Sequence, residues 1–137
     1  MNSIADYLDR GDLSAAACPS RQVLQHMTSR WGVLVMIALM GKPMRFSALK
    51  RMIGGISERM LVQTLQGLEG DGLVHREDFG TVPLHVEYSL TALGSAGAAK
   101  LRSLADWIEE NLSQIQAHQA ASADAANTTD APKARRA

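Results

Sequence analysis

Apolar positions along the chain fall into four short stripes, one change of period, and one long stripe. Val23, Leu24 and Met27 recur at helical steps after Cys18-Pro19-Ser20. Proline suits the first position of that helix, because its missing N–H would have no partner there. After a break at Ser29 or Arg30, Trp31–Met40 is nearly continuous in apolar residues, which predicts the central buried helix of a small domain. Gly41-Lys42-Pro43 ends it, and Met44-Arg45-Phe46 reads as a brief extended piece. Phe46, Leu49, Met52 and Ile53 then make a further helical face with Lys50 and Arg51 outside, broken by Gly54-Gly55. Ser57 is a good N-cap for the next helix, with Ile56 placed to staple onto Leu61. Met60, Leu61, Thr64, Leu65 and Leu68 form its expected buried face, and Glu58, Arg59, Val62, Gln63 and Gln66 its other face. Gly70 and Gly72 stop it. Two short helices joined by a glycine turn, the second polar outward, form a helix-turn-helix pattern.

After Gly72 the period shortens. Leu73, Val74, Arg76 and Phe79 predict one strand, and Val86, Tyr88 and Leu90, alternating with Glu87 and Ser89, predict a second. Gly80–Leu84 supplies turn residues between them, so the pair is a hairpin, or wing, directly after the helix-turn-helix. Thr91 then caps a helix whose stripe of Gly97, Leu101, Leu104, Ile108, Leu112 and Ile115 is long for a domain of this size. Such a stripe needs apolar surface beyond a small core, and a second subunit supplies it most simply. From His118 onward the residues are mostly Ala, Ser, Asp and Thr with no large apolar side chain, which predicts disorder over 118–137. Residues 1–17 read as an arm, held loosely or packed on a partner. The expected fold is α+β and mostly α: a winged helix-turn-helix domain over 18–117 with a two-stranded wing and a long C-terminal dimerisation helix.

Composition narrows this picture. With 137 residues, 46% apolar content and only 4% aromatic, one domain with an aliphatic core is expected. The longest apolar run, Val33–Met40, is far short of the roughly 20 residues of a membrane span, and no leader peptide is apparent. A single cysteine excludes an internal disulfide and suits a reducing cytoplasm. Net charge is zero, but it is unevenly spread: Cys18–Arg102 carries ten cations against six acids, while both flanks are net acidic. A basic middle favours nucleic acid as partner.

Candidate chemistry is sparse. His26, His75, His85 and His118 have no metal-ligand spacing; His75 and His85, on the two wing strands, are placed to face each other. No Walker loop, nucleophile elbow or paired carboxylate occurs, so neither an enzyme nor a metal or cofactor site is expected. Cys18, at or just before a helix start with Arg21 one turn on, has two readings: a small buried hydrophobe, or a reactive thiol favoured by the positive helix end.

The stretches CPSRQVL, SRWGVLVMIAL, RFSALKRMIGGISERMLVQTLQGLEGDGLV and VPLHVEYSLTALG, with a helix centred on Trp107, resemble the HxlR-type winged-helix regulators, relatives of the MarR-type repressors. The resemblance covers about residues 18–112. It implies a homodimer, joined through the terminal helices, that binds palindromic operator DNA. His85 and Thr64 stand where that family commonly has arginine. A subset of the family resembles this chain at Cys18, where a cysteine senses hypochlorite, quinones or aldehydes. With one cysteine per chain, the reversible products are an intersubunit disulfide or a mixed disulfide.

The expected function is therefore a cytoplasmic, dimeric, sequence-specific transcriptional regulator. Ser57, Glu58, Arg59, Gln63, Thr64 and Gln66 face the major groove, Arg45 and Lys50 approach phosphates, and Arg76 or His85 does so from the wing. Leu101, Leu104, Trp107, Ile108, Leu112 and Ile115 form the dimer contact. Two alternatives stand beside it. One is control by a small ligand in a pocket lined by Met36, Met40, Trp107 and Ile108. The other is a winged helix that binds protein only.

Overall fold

The computed structural model describes residues 18–136, with side chains through residue 127. The expected arm at residues 1–17 lies outside the described residues. Cys18 is the N-cap of α1 (Pro19–Thr28), and its carbonyl accepts the Arg21 and Gln22 N–H groups at 3.1 and 3.3 Å. One residue, Ser29, separates α1 from α2 (Arg30–Ala38). Its N–H donates to the Gln25 carbonyl at 3.0 Å, and its hydroxyl accepts from the Gly32 N–H and donates to the His26 carbonyl, both at 3.1 Å. The corner is tight enough that a Cβ on Gly32 would sit 2.0 Å from the His26 carbonyl oxygen.

The core forms where α2 meets α3 (Phe46–Met52) and α4 (Glu58–Gly70). Val35, Met36, Leu49, Leu61, Leu65 and Leu68 are its largest fully buried side chains. Each removes enough apolar surface from water to stabilise the fold by about 1.5–3 kcal/mol. Helix α2 is not the all-round buried helix that its composition suggests. Leu34, within the helix, and Met40, just beyond its end, are 42% and 43% exposed. In α4 the Ser57 hydroxyl accepts the Met60 N–H at 3.1 Å, and Ile56 and Leu61 lie in the same buried cluster, as the expected cap and staple require. Met60, expected inside, is exposed, and Thr64 is half-buried.

Helix α4 ends in a Schellman motif. Gly72, at φ +77°, donates to the Glu69 carbonyl, Leu73 N–H reaches back to the Leu68 carbonyl at 3.0 Å, and Leu73 itself is buried. Strands β1 (Val74–Asp78) and β2 (Val86–Leu90) follow as an antiparallel pair in the register Val74↔Leu90, Arg76↔Tyr88 and Glu77↔Glu87. Met44 adds a single bridge beside Tyr88, with N–H···O distances of 2.9 and 2.8 Å. Val74, Tyr88 and Leu90 pack on the core, so the hairpin base is anchored by one face.

Helix α5 (Ala92–Arg136) starts at the same place. Thr91 hydroxyl accepts the Gly94 N–H at 2.9 Å and donates to the Gly72 carbonyl at 2.7 Å, while Thr91 N–H donates to the Leu73 carbonyl at 3.1 Å. Ala98 and Leu101 are buried against this chain's own core. Leu101, expected at a dimer contact, is thus a core residue. The chain divides into compact units at Arg102, and the second consists of the rest of α5. In it Leu104, Trp107 and Ile108 are 49%, 56% and 41% exposed. The disorder expected from His118 is not observed: the backbone stays helical to Arg136. Alanine has the highest helix propensity, so a sequence too polar to build a core still suits a helix.

A Cβ placed on Gly94 would sit 1.9 Å from the Leu73 carbonyl oxygen. Helix propensity alone favours Gly94→Ala by about 1 kcal/mol. The clash reverses that sign, and a loss of about 1–3 kcal/mol is expected in urea unfolding.

Candidate nucleic-acid interface

With Leu61, Leu65 and Leu68 turned inward, α4 presents Arg59, Gln63 and Gln66 at the centre of its outer face. Their spacing of four and three residues stacks them along one line. Glu58, in the first turn, suits the positive end of the helix. Ser57 is exposed, but its oxygen is engaged by the cap. Thr64 hydroxyl donates to the Met60 carbonyl at 2.7 Å, which leaves its methyl group as the outward offering. Met60 and Val62 are 37% and 41% exposed on the same helix and were not among the expected contacts. Apolar side chains at such positions can meet a thymine methyl. The signal for Val62 was present, since it falls on the outer face of the helical wheel.

Helix α3 adds Arg45 at its N-cap and Lys50 and Arg51 in its last turn, all exposed. No carboxylate pairs with Arg45, Lys50, Arg51 or Arg59 among the described residues. The segment Cys18–Leu73 holds seven cations against three acids. The wing has the opposite balance: between Val74 and Leu90, Arg76 stands against Glu77, Asp78 and Glu87.

The wing's own geometry explains where its groups go. His75 pairs with Ser89, not with His85, so the expected facing pair of histidines is absent. Tyr88's bridge to Met44 and the Thr91 joint hold this register. His85 instead meets Glu87, Nε2 to Oε2 at 2.6 Å, and its ring lies 4.4 Å from that of Phe79. His85 is therefore tied within the hairpin. Asp78 accepts the Gly80 N–H at 2.8 Å to shape the turn. The tip exposes Val82 and Leu84, 99% and 68% accessible. Arg76 is exposed, on the strand face it shares with Tyr88.

Cys18 is buried, 8% exposed, at the head of α1. Met36 is fully buried in the core, and Met40 is exposed. The open groove along α5, bounded by Trp107, Asn111, Ile115 and His118, is one helix surface. Among the described residues, no three of His, Cys, Asp and Glu cluster as metal ligands, and no helix is long and apolar enough to cross a membrane.

Two short helices around a glycine turn, a hairpin bonded to the second, and a long helix leaving the hairpin make a winged helix-turn-helix. Residues 26–116 match the HxlR-like helix-turn-helix family. The chain belongs to that family. It is 54% identical over 115 residues to the HTH-type transcriptional regulator YtfH of Escherichia coli (strain K12), covering 84% of this chain and 91% of that one. The structure of transcriptional regulator ytfH from Salmonella typhimurium superposes with a TM-score of 0.75 at 55% identity, over 80% of this chain and 97% of that one. The redox regulator HypR in its reduced form gives a TM-score of 0.67 at 31% identity, over 72% and 98%. The HxlR-like framework of this chain is thus shared with transcriptional regulators, while its wing charge is a matter of its own residues.

Glu77 and Glu87 lie directly opposite on the wing, and like charges so placed repel. Glu77→Lys is expected to raise stability by about 0.2–1 kcal/mol, read as a higher urea midpoint with an unchanged slope.

Proposed function

We propose that this chain is a cytoplasmic, homodimeric regulator that reads a palindromic DNA operator with the outer face of α4. The observation that carries this reading is the line of exposed Arg59, Gln63 and Gln66, with Arg59 in no ion pair among the described residues, on a helix backed by the buried Leu61, Leu65 and Leu68. Arginine and glutamine are side chains with the donor geometry to read guanine and adenine edges. Glu58, Met60, Val62 and the Thr64 methyl complete the surface, and Ser57 fixes the start of the helix. Arg45 and Lys50 approach phosphates and set register without reading sequence. The wing contributes little to backbone binding: His85 is tied to Glu87, and Arg76 is outnumbered by acids.

Dimerisation through the second unit is supported by its stripe of Leu104, Trp107 and Ile108, flanked by the half-buried Leu112 and Ile115. Large exposed apolar patches of this kind are uncommon on single subunits. Cys18 is the proposed point of control by oxidants or electrophiles. The likeness to the redox regulator HypR supports this. In the reversible step two Cys18 thiols, one per subunit, join as a disulfide, and their two protons and two electrons pass to the oxidant.

In a mobility-shift assay on DNA upstream of the coding sequence, Arg59→Ala is expected to weaken operator binding by about 1–3 kcal/mol while leaving random duplex nearly unaffected. An equal loss on both would reduce Arg59 to a phosphate contact.

A further inference from the structure

Asp71 is the C-cap of α4, at the negative end of a helix, where an acidic side chain is electrostatically disfavoured. Its Oδ2 lies 2.6 Å from Nδ1 of His26, which belongs to the last turn of α1. A carboxylate only accepts, so Nδ1 carries the shared hydrogen. The His26 ring also lies along α4, where a Cβ on Gly67 would touch it at 3.6 Å. One histidine therefore holds both the side and the end of this helix.

From the rest of α1, the half-buried Met27 packs against the core. No side chain of α1 is fully buried. A cleft of about 190 Å³ opens between the α1–α2 corner and α4, lined by Gln25, His26, Ser29, Gln63, Thr64 and Gly67. Leu61, Leu65 and Leu68 seat α4 in the core, and the His26–Asp71 bond is the polar contact that bears on its roll from the α1 side. Gln63 lies one turn before Gly67, so a small roll moves the amide that faces outward. Asp71 also precedes Gly72, whose carbonyl receives the Thr91 hydroxyl at the wing joint.

We propose that His26 and Asp71 are a positioning pair that sets the roll of α4 and so determines discrimination between operator and random DNA. The inference rests on the reading of α4 given above. Neither residue touches the nucleic acid; both act through the placement of Gln63 and Gln66.

The test uses the full chain, an operator duplex recovered from its upstream region, and a scrambled duplex. His26→Ala and Asp71→Ala are each expected to weaken operator binding about tenfold and scrambled binding less than about twofold, as loss of register without loss of charge attraction predicts. The exchange His26→Asp/Asp71→His restores the contact and is expected to recover most of the discrimination, which loss of general stability would not do. Unchanged operator affinity, equal losses on both duplexes, or no recovery in the exchanged variant would overturn the proposal. Backbone amide shifts give a second readout independent of DNA. In His26→Ala they are expected to change over Gln63–Leu73 while the core amides of α2 hold still. If the unaltered chain does not distinguish the two duplexes, the DNA reading fails. The positioning role then stands or falls on those shifts alone, and their absence overturns it.

Discussion

The joint around the Leu73 carbonyl is the constraint on which the rest of this structure depends. Within a few residues α4 must end, the wing must begin and end, and α5 must start. Gly72 turns the chain out of α4, and Thr91 closes the loop by bonding both ways, to Gly72 and to Gly94. Gly94 lets the first turn of α5 lie directly on the Leu73 carbonyl. Each of these positions demands a specific residue type, and each is bonded to the next. The C-terminal end of α4 is fixed here, its N-terminal end is capped by Ser57, and His26–Asp71 ties it to α1.

Charge divides the domain along the same joint. The helical part before Leu73 is basic, and the hairpin after it is acidic. In the proposed reading, phosphate attraction falls on α3 and α4, and the wing carries repulsion. This places the proposed recognition almost wholly on helices. It also explains how a chain of zero net charge can present a cationic face: the balancing acids sit on the hairpin and toward the chain's ends.

Local signals make much of this legible in the sequence. Ser57 and Thr91 announced helix starts because a cap acts within four residues, and the strands showed their period of two. The HxlR-like family was legible through residues that serve this framework: Ser57, Gly72, Tyr88 and Thr91 all hold it together. What escaped depends on distance along the chain. Strand register is fixed by Met44 and Tyr88, so the misplaced pairing of His75 with His85 could not be corrected from the hairpin's own sequence. Leu101 and Leu104 belong to one stripe, and only the end of the core at Arg102 separates the buried residue from the exposed one. The helix beyond His118 escaped because low hydrophobicity forecasts the absence of a core, which is a different matter from the absence of a helix. The bond between His26 and Asp71 spans 45 positions and left no mark in either neighbourhood.

The central claim is that one short helix, presented twice by a two-fold pair, reads base edges in the major groove. Chemical footprinting of the upstream duplex at guanine N7 tests it most directly. The account predicts two clusters of protection related by a dyad, centred about one helical turn, or 34–36 Å, apart. A single unpaired cluster, or protection confined to the sugar-phosphate backbone with guanine N7 open throughout, would contradict it.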